Sequence, residues 1–115
     1  MNNDCIFCKI IAGEISSEKI YEDNEVYAFR DINPCAPTHI LVVPKRHIPR
    51  TIDLTEDDAA LVGQLILTAN KLAAQEGIAE PGCRYVFNCN KDAGQDVFHI
   101  HLHLIGGRKL SWPPG

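Results

Sequence analysis

Three of the chain's five histidines fall in one short run, His99-Ile100-His101-Leu102-His103-Leu104-Ile105. In an extended strand successive side chains point to opposite faces. The spacing therefore puts His99, His101 and His103 on one face, with adjacent members about 6.5–7 Å apart. Ile100, Leu102 and Leu104 take the other face, where they can pack against a helix. A neutral imidazole is a nucleophile toward phosphorus, and a protonated neighbour can donate to a leaving group. Like charges repel, so the three are not all protonated together. Alternating strand histidines can also chelate a metal. Cys5-x-x-Cys8 is a second run with chemical potential, readable as half of a zinc site, as a redox pair or as packing.

The elements around these residues are short and punctuated by proline and glycine. Residues 6–11 read as a small amphipathic helix ended by Gly13. Lys19-Ile20-Tyr21-Glu22 and Val26-Tyr27-Ala28-Phe29-Arg30 flank Asp23-Asn24 as a β-hairpin. Pro34 and Pro37 mark a turn, and the apolar run from His39 to Val43 predicts a central strand ended by Pro44. Thr55 with Glu56, Asp57 and Asp58 reads as a helix start with an acidic first turn. Leu61, Val62, Leu65, Ala69, Leu72 and Ala73 follow at helical spacing, predicting one helix of about 20 residues stopped at Gly77. Strands are expected from Cys83 to Cys89 and from Phe98 to Ile105, joined through the loop Asp92-Ala93-Gly94. Most connections are too short for parallel crossovers. The expected fold is α+β, a mainly antiparallel five-stranded sheet with one long and one short helix.

The chain has 115 residues, 45% hydrophobic and 23% charged. That is ordinary for one globular domain and leaves no room for two. Eleven basic against fifteen acidic residues give a net charge of −4, a poor footprint for nucleic-acid binding. Apolar stretches of four or five residues cannot span a membrane. Met1 to Asp4 carry no basic region with an apolar run behind it, so no secretory leader is expected. A cytoplasmic, reducing location fits, with Cys35, Cys83 and Cys89 as packing residues rather than disulfide partners. No Walker-type phosphate loop is present, which argues against ATP-driven work.

The histidine run resembles the signature of the histidine triad (HIT) superfamily. The likeness extends through Ile6-Phe7 with Lys9-Ile10-Ile11, Ala28-Phe29-Arg30-Asp31-Ile32, Ala36-Pro37-Thr38-His39, Val43-Pro44-Lys45-Arg46-His47 and Gly94-Gln95-Asp96-Val97-Phe98. The end of the chain, Gly106-Gly107-Arg108-Lys109 to Trp112-Pro113-Pro114-Gly115, is similar to the Hint branch, so the likeness covers residues 1–115 as a single domain. It implies a purine-nucleotide-binding homodimer that hydrolyses nucleoside 5′-phosphoramidates, with no cofactor required for catalysis. His101 would be the nucleophile that carries the nucleotidyl intermediate. His99 and His103 would flank it, and His39 would help to orient the triad.

The same resemblance assigns the other site residues. Asp31 would grip the ribose hydroxyls. Phe7, Ile15, Phe29 and Ile32 would form the base slot. Asn88 would contact phosphate or ribose, and Gly94, Gln95, Asp96 and Val97 would form the phosphate loop. Some Hint proteins carry a hydroxyl residue where this chain has Asp96. An ionised carboxylate there accepts only, repels phosphate, and could pair with a cationic leaving amine. Relatives with Cys-x-x-Cys complete a structural zinc site with residues matching His47 and His99. Residues 106–115 would form a tail that reaches the partner subunit, bringing Trp112 to its site. A dinucleoside polyphosphate hydrolase of the same superfamily is the alternative, although Ile105 stands where that branch usually has Gln. A nucleotide-binding or interaction module is the other.

Overall fold

The computed structural model describes residues 4–115, so Met1 to Asn3, read above for a leader, lie outside the described residues. The elements run α1 (Ile6–Ile11), β1 (Lys19–Glu22), β2 (Val26–Arg30), β3 (Thr38–Pro44), α2 (Ala59–Gln75), β4 (Cys83–Val86) and β5 (Leu102–Gly106). The strands form one sheet in the order β1-β2-β3-β5-β4, every neighbour antiparallel. This is the α+β architecture the sequence implies.

Asp23 closes the β1–β2 hairpin, its Oδ1 accepting the N–H groups of Glu25 and Val26 at 2.8 Å each. This is the local turn chemistry that aspartate favours. A 3-10 turn over Glu56–Asp58 leads into α2. There the Asp58 carboxylate accepts the Thr55 N–H at 2.8 Å and pairs with Arg46. α2 itself is 17 residues long.

Strand alternation sorts the interior into two clusters on opposite faces of the sheet. Val26 and Ala28, Ile40 and Val42, and Ile100, Leu102 and Leu104 join Leu65, Ala69 and Leu72 of α2. Tyr27, Phe29, Leu41 and Val43 pack with Phe7, Cys8 and Ile10 of α1 on the other face. Fully burying one such aliphatic side chain stabilises by about 1.5–3 kcal/mol. β3 is buried along its whole length, as its unbroken apolar run implies for a central strand. Gly106 has no side chain for a packing reason: a Cβ there would lie 2.8 Å from Ile78 Cδ1.

Two strands are shorter than the pattern suggests. The ladder of the last strand begins at Leu102 rather than Phe98 because the backbone before it is bonded elsewhere. Ile100 N–H donates to Ile48 O at 2.8 Å, and His99 O receives a side-chain donor. β4 ends at Val86 rather than Cys89. Val86 pairs with His103, the second residue of β5, so from Asn88 onward the chain runs past the start of its partner. The side-chain alternation nevertheless continues back to His99.

Candidate active site

The face of the sheet away from α2 carries a cleft of about 200 Å³. Ile6, Phe7 and Ile10 of α1 form one wall. Phe29, Leu41, Asp31 and Ile32 form another, and Asp96, Val97, His101 and His103 close it at the chemical end. Ile6 and Ile10 flank Phe7 at helical spacing. Leu41 follows His39 by two on β3 and pairs with His103. All three positions were open to a sequence reading through periodicity alone. Phe7 sets its edge on the His101 ring, with centroids 5.1 Å apart and planes at 89°.

His101 is buried, and its Nδ1 lies 2.8 Å from His99 O. A carbonyl only accepts, so Nδ1 carries the proton. With Nδ1 committed in this way, the neutral form of the ring has its lone pair on Nε2. The nearest acidic oxygen, Asp96 Oδ1, is 4.0 Å from that nitrogen, beyond hydrogen-bonding distance.

The orientation of His103 is set by a chain of bonds starting in the proline turn. Cys35 N–H donates to His39 Nδ1 at 3.1 Å. A neutral His39 then holds its proton on Nε2, which lies 2.9 Å from His103 Nδ1 and 3.4 Å from Asp31 Oδ2. His103 consequently keeps its own proton on Nε2, a buried atom without a protein partner. Burial lowers the His103 pKa to about 4, with His101 and His39 adding to the effect and Asp31 and Asp96 opposing it. Burial also lowers that of His39, against the pull of Asp31. Both rings are thus neutral near pH 7. His101 and His103 both line the cleft, with ring centroids 4.8 Å apart.

His99 is turned away from the cleft. Its Nε2 lies 2.7 Å from Pro44 O and so carries the proton, leaving Nδ1 as a lone pair. Burial lowers its pKa to about 4, opposed by the Pro44 bond. Nδ1 faces Cys5 Sγ at 3.4 Å, Cys8 Sγ at 3.6 Å and His47 Nδ1 at 3.3 Å, and Cys8 Sγ lies 3.5 Å from His47 Nδ1. A tetrahedral zinc with Zn–N of about 2.05 Å and Zn–S of about 2.3 Å sets its nitrogens about 3.3 Å apart and each nitrogen about 3.6 Å from each sulfur. The donor set and its spacing fit that ion, and the Pro44 carbonyl orients His99 as an outer partner of a metal ligand should. Asp31, His39 and His103 also converge, but there the two nitrogens share a proton, so that group lacks the free lone pairs a metal needs.

The remaining sequence candidates are placed as follows. Asp31 borders the cleft with Oδ1 accepting Asn33 N–H at 2.8 Å. Gly94 and Gln95 direct their N–H groups into their own loop, to Lys91 O and Asn90 O. The Gln95 amide donates to Pro49 O and Val97 O and accepts from Asn90 N–H, which fixes the loop rather than facing the cleft. Asp96 and Val97 are the loop residues at the cleft wall. Ile15, Asn88 and Trp112 are not among its lining residues, and Trp112 is 78% exposed. The bonds of the Cys35 N–H to His39 and of the Pro44 carbonyl to His99 had no sequence signal, because these backbone groups carry no side-chain identity.

The model of the HIT domain family matches residues 12–110. The chain belongs to the HIT domain family. Among curated relatives, the purine nucleoside phosphoramidase of Escherichia coli K12 is 50% identical over 110 residues, 96% of this chain and 92% of the relative. A HIT-like protein of Synechococcus elongatus is 50% identical over the full length of both chains. Among solved structures, a HIT family hydrolase from Legionella pneumophila aligns with TM-score 0.96 and 52% identity over 97% of this chain and 100% of that one. The HIT signature accounts for the order of histidines along this chain, while the packing around them gives each its different surroundings.

Proposed function

We propose that this HIT protein hydrolyses purine nucleoside 5′-phosphoramidates, cleaving the P–N bond to release a nucleoside monophosphate and an amine. The observation that carries the reading is the placement of His101 and His103 side by side at the end of an apolar slot, with His101 Nδ1 tied to His99 O and His103 Nε2 without a partner among the described residues. The base would lie against Phe7, Phe29 and Ile32, with the ribose toward Asp31. His101 Nε2 attacks the α-phosphorus, and His103 donates to a phosphoryl oxygen as negative charge grows there. The P–N bond breaks, and the amine takes a proton from solvent at the open mouth, where Asp96 stands 84% exposed on its side chain. The nucleotidyl-His101 ring is a cation, and its Nδ1–H bond to His99 O stabilises it. Water then attacks phosphorus, the bond to His101 breaks, a proton leaves to solvent, and the ring returns to its starting tautomer.

Cys5, Cys8, His47 and His99 would hold one zinc ion, tying α1 to the sheet as a structural link outside the reaction. A homodimer is the proposed assembly, built on the exposed side of α2, where Leu67 is 59% exposed. The 50% identity to a purine nucleoside phosphoramidase supports the substrate class. The test is turnover of adenosine 5′-phosphoramidate. Wild type is expected to release AMP, and His101→Ala to lose about 10³-fold or more of the rate. Wild type that releases no AMP, or a mutant that keeps its rate, refutes the reading.

A further inference from the structure

We propose that Cys5 and Cys8 form an oxidisable pair through which a peroxide expels the metal and loosens the nucleotide slot; the second half rests on the nucleotide reading of the cleft. Three observations meet here. The first is access. A separate pocket of about 300 Å³, lined by Cys5, His47, Ile6 and Phe98 among others, reaches Cys5 but not Cys8. A small oxidant can therefore approach Cys5, itself 7% exposed, while Cys8 stands behind it.

The second is proximity. The two sulfurs and two imidazole nitrogens of the cluster all lie within 4.8 Å of one another. Cys5 sulfur attacks one peroxide oxygen, an S–O bond forms and the O–O bond breaks, giving a sulfenic acid and an alcohol, or water from hydrogen peroxide. Cys8 sulfur then attacks the sulfenic sulfur, the S–S bond forms, and the sulfenic oxygen leaves as water. Overall, two thiols and one peroxide become a disulfide, an alcohol (or water) and a water. With both sulfurs bound to zinc, two protons are taken up from solvent and Zn²⁺ is released. A disulfide needs its sulfurs about 2.0 Å apart, so both must swing off His47 and His99.

The third is shared use of one short helix. Cys5 caps α1, its Sγ accepting the Cys8 N–H at 3.3 Å. The same six-residue helix supplies Ile6, Phe7 and Ile10 to the cleft. A helix this short cannot hold itself without tertiary ties. Losing the cluster removes one of its two ties, leaving the packing of Phe7 and Ile10 alone to hold the wall of the slot. The nucleophile is affected less. The His99 ring keeps its bond to Pro44 O, and its carbonyl keeps His101 Nδ1. Oxidation is therefore expected to weaken nucleotide binding more than it alters the chemical step.

The experiment uses the full chain, reduced and zinc-loaded, before and after stoichiometric hydrogen peroxide. Readouts are zinc release, disulfide mapping by mass spectrometry, hydrogen exchange over residues 6–11, and AMP affinity by calorimetry. The proposal expects a Cys5–Cys8 bond, one zinc released per two thiols lost, faster exchange in α1, and an AMP dissociation constant raised at least about tenfold, all restored by dithiol and zinc. Zinc retained, a bond between other cysteines, or unchanged exchange in α1 overturns it. So does unchanged affinity for AMP after oxidation. Reduced protein that does not bind AMP refutes the nucleotide reading instead, and the mapping and exchange arms still decide the fate of the pair.

Discussion

His103 shows how burial and hydrogen bonding together choose a role for a side chain whose type alone leaves it open. An exposed histidine would be partly charged at neutral pH. Here burial holds His103 neutral down to about pH 4, and the chain of bonds from Cys35 N–H through His39 leaves its proton on Nε2. It therefore suits donation to a phosphoryl oxygen rather than wholesale proton transfer. The same burial has a thermodynamic consequence. The folded pKa lies below the ordinary value near 6.5, so the unfolded chain binds the proton more readily. The contribution of a neutral His103 is fully present above pH 6.5 and is lost as pH falls toward 4. The urea midpoint of unfolding is expected to drop across that window and His103→Gln to lessen the drop. An identical pH profile for the two proteins would refute the assignment.

The elements divide their labour between stability and placement. α2 fills one side of the sheet, and Leu72 has no exposed surface. Leu72→Ala should cost about 2–5 kcal/mol of unfolding free energy. It should leave the turnover per folded molecule unchanged, since Leu72 lies across the sheet from the cleft. Urea titration and an activity assay on the folded fraction check both parts. α1, β3 and the β5 approach place the chemistry, and most of that was legible. Helical spacing from Leu61 to Ala73 announced α2, and alternation from His99 to Ile105 gave the correct faces even where the ladder is absent. Strand ends were less legible because partners far away in sequence set them: Ile48 O takes Ile100 N–H, and β5 begins too late to lie opposite Asn88 and Cys89. The division among the three histidines was not visible either. Alternation gives them one face, but only α1 packing on that face decides that His99 turns toward cysteines while His101 and His103 turn toward the cleft.

At the scale of the whole molecule, the outer side of α2 and the tail are the regions a second copy would cover. Ile66 and Leu67 are exposed on α2, while Ser111 O is held by Arg84 Nη2 at 2.8 Å, steering the last residues along the β4 edge. Wild type is expected to sediment at twice the mass of one chain, and Leu67→Glu to shift toward monomer by placing a charge in a desolvated contact. Sedimentation as a monomer by wild type would refute the assembly. Deleting Ser111 to Gly115 should change preference among leaving amines more than the unfolding midpoint. The sheet also partitions the molecule in another sense. Along β3, Ile40 and Val42 belong to the cluster beneath α2, whereas Leu41 and Val43 belong to the opposite one, beside His39. β2 and β5 are divided in the same way, residue by residue. The cluster beneath α2 and the walls of the slot therefore read alternate letters of the same strands, and a lineage can exchange the walls for new leaving groups or bases while the packing beneath α2 goes unedited.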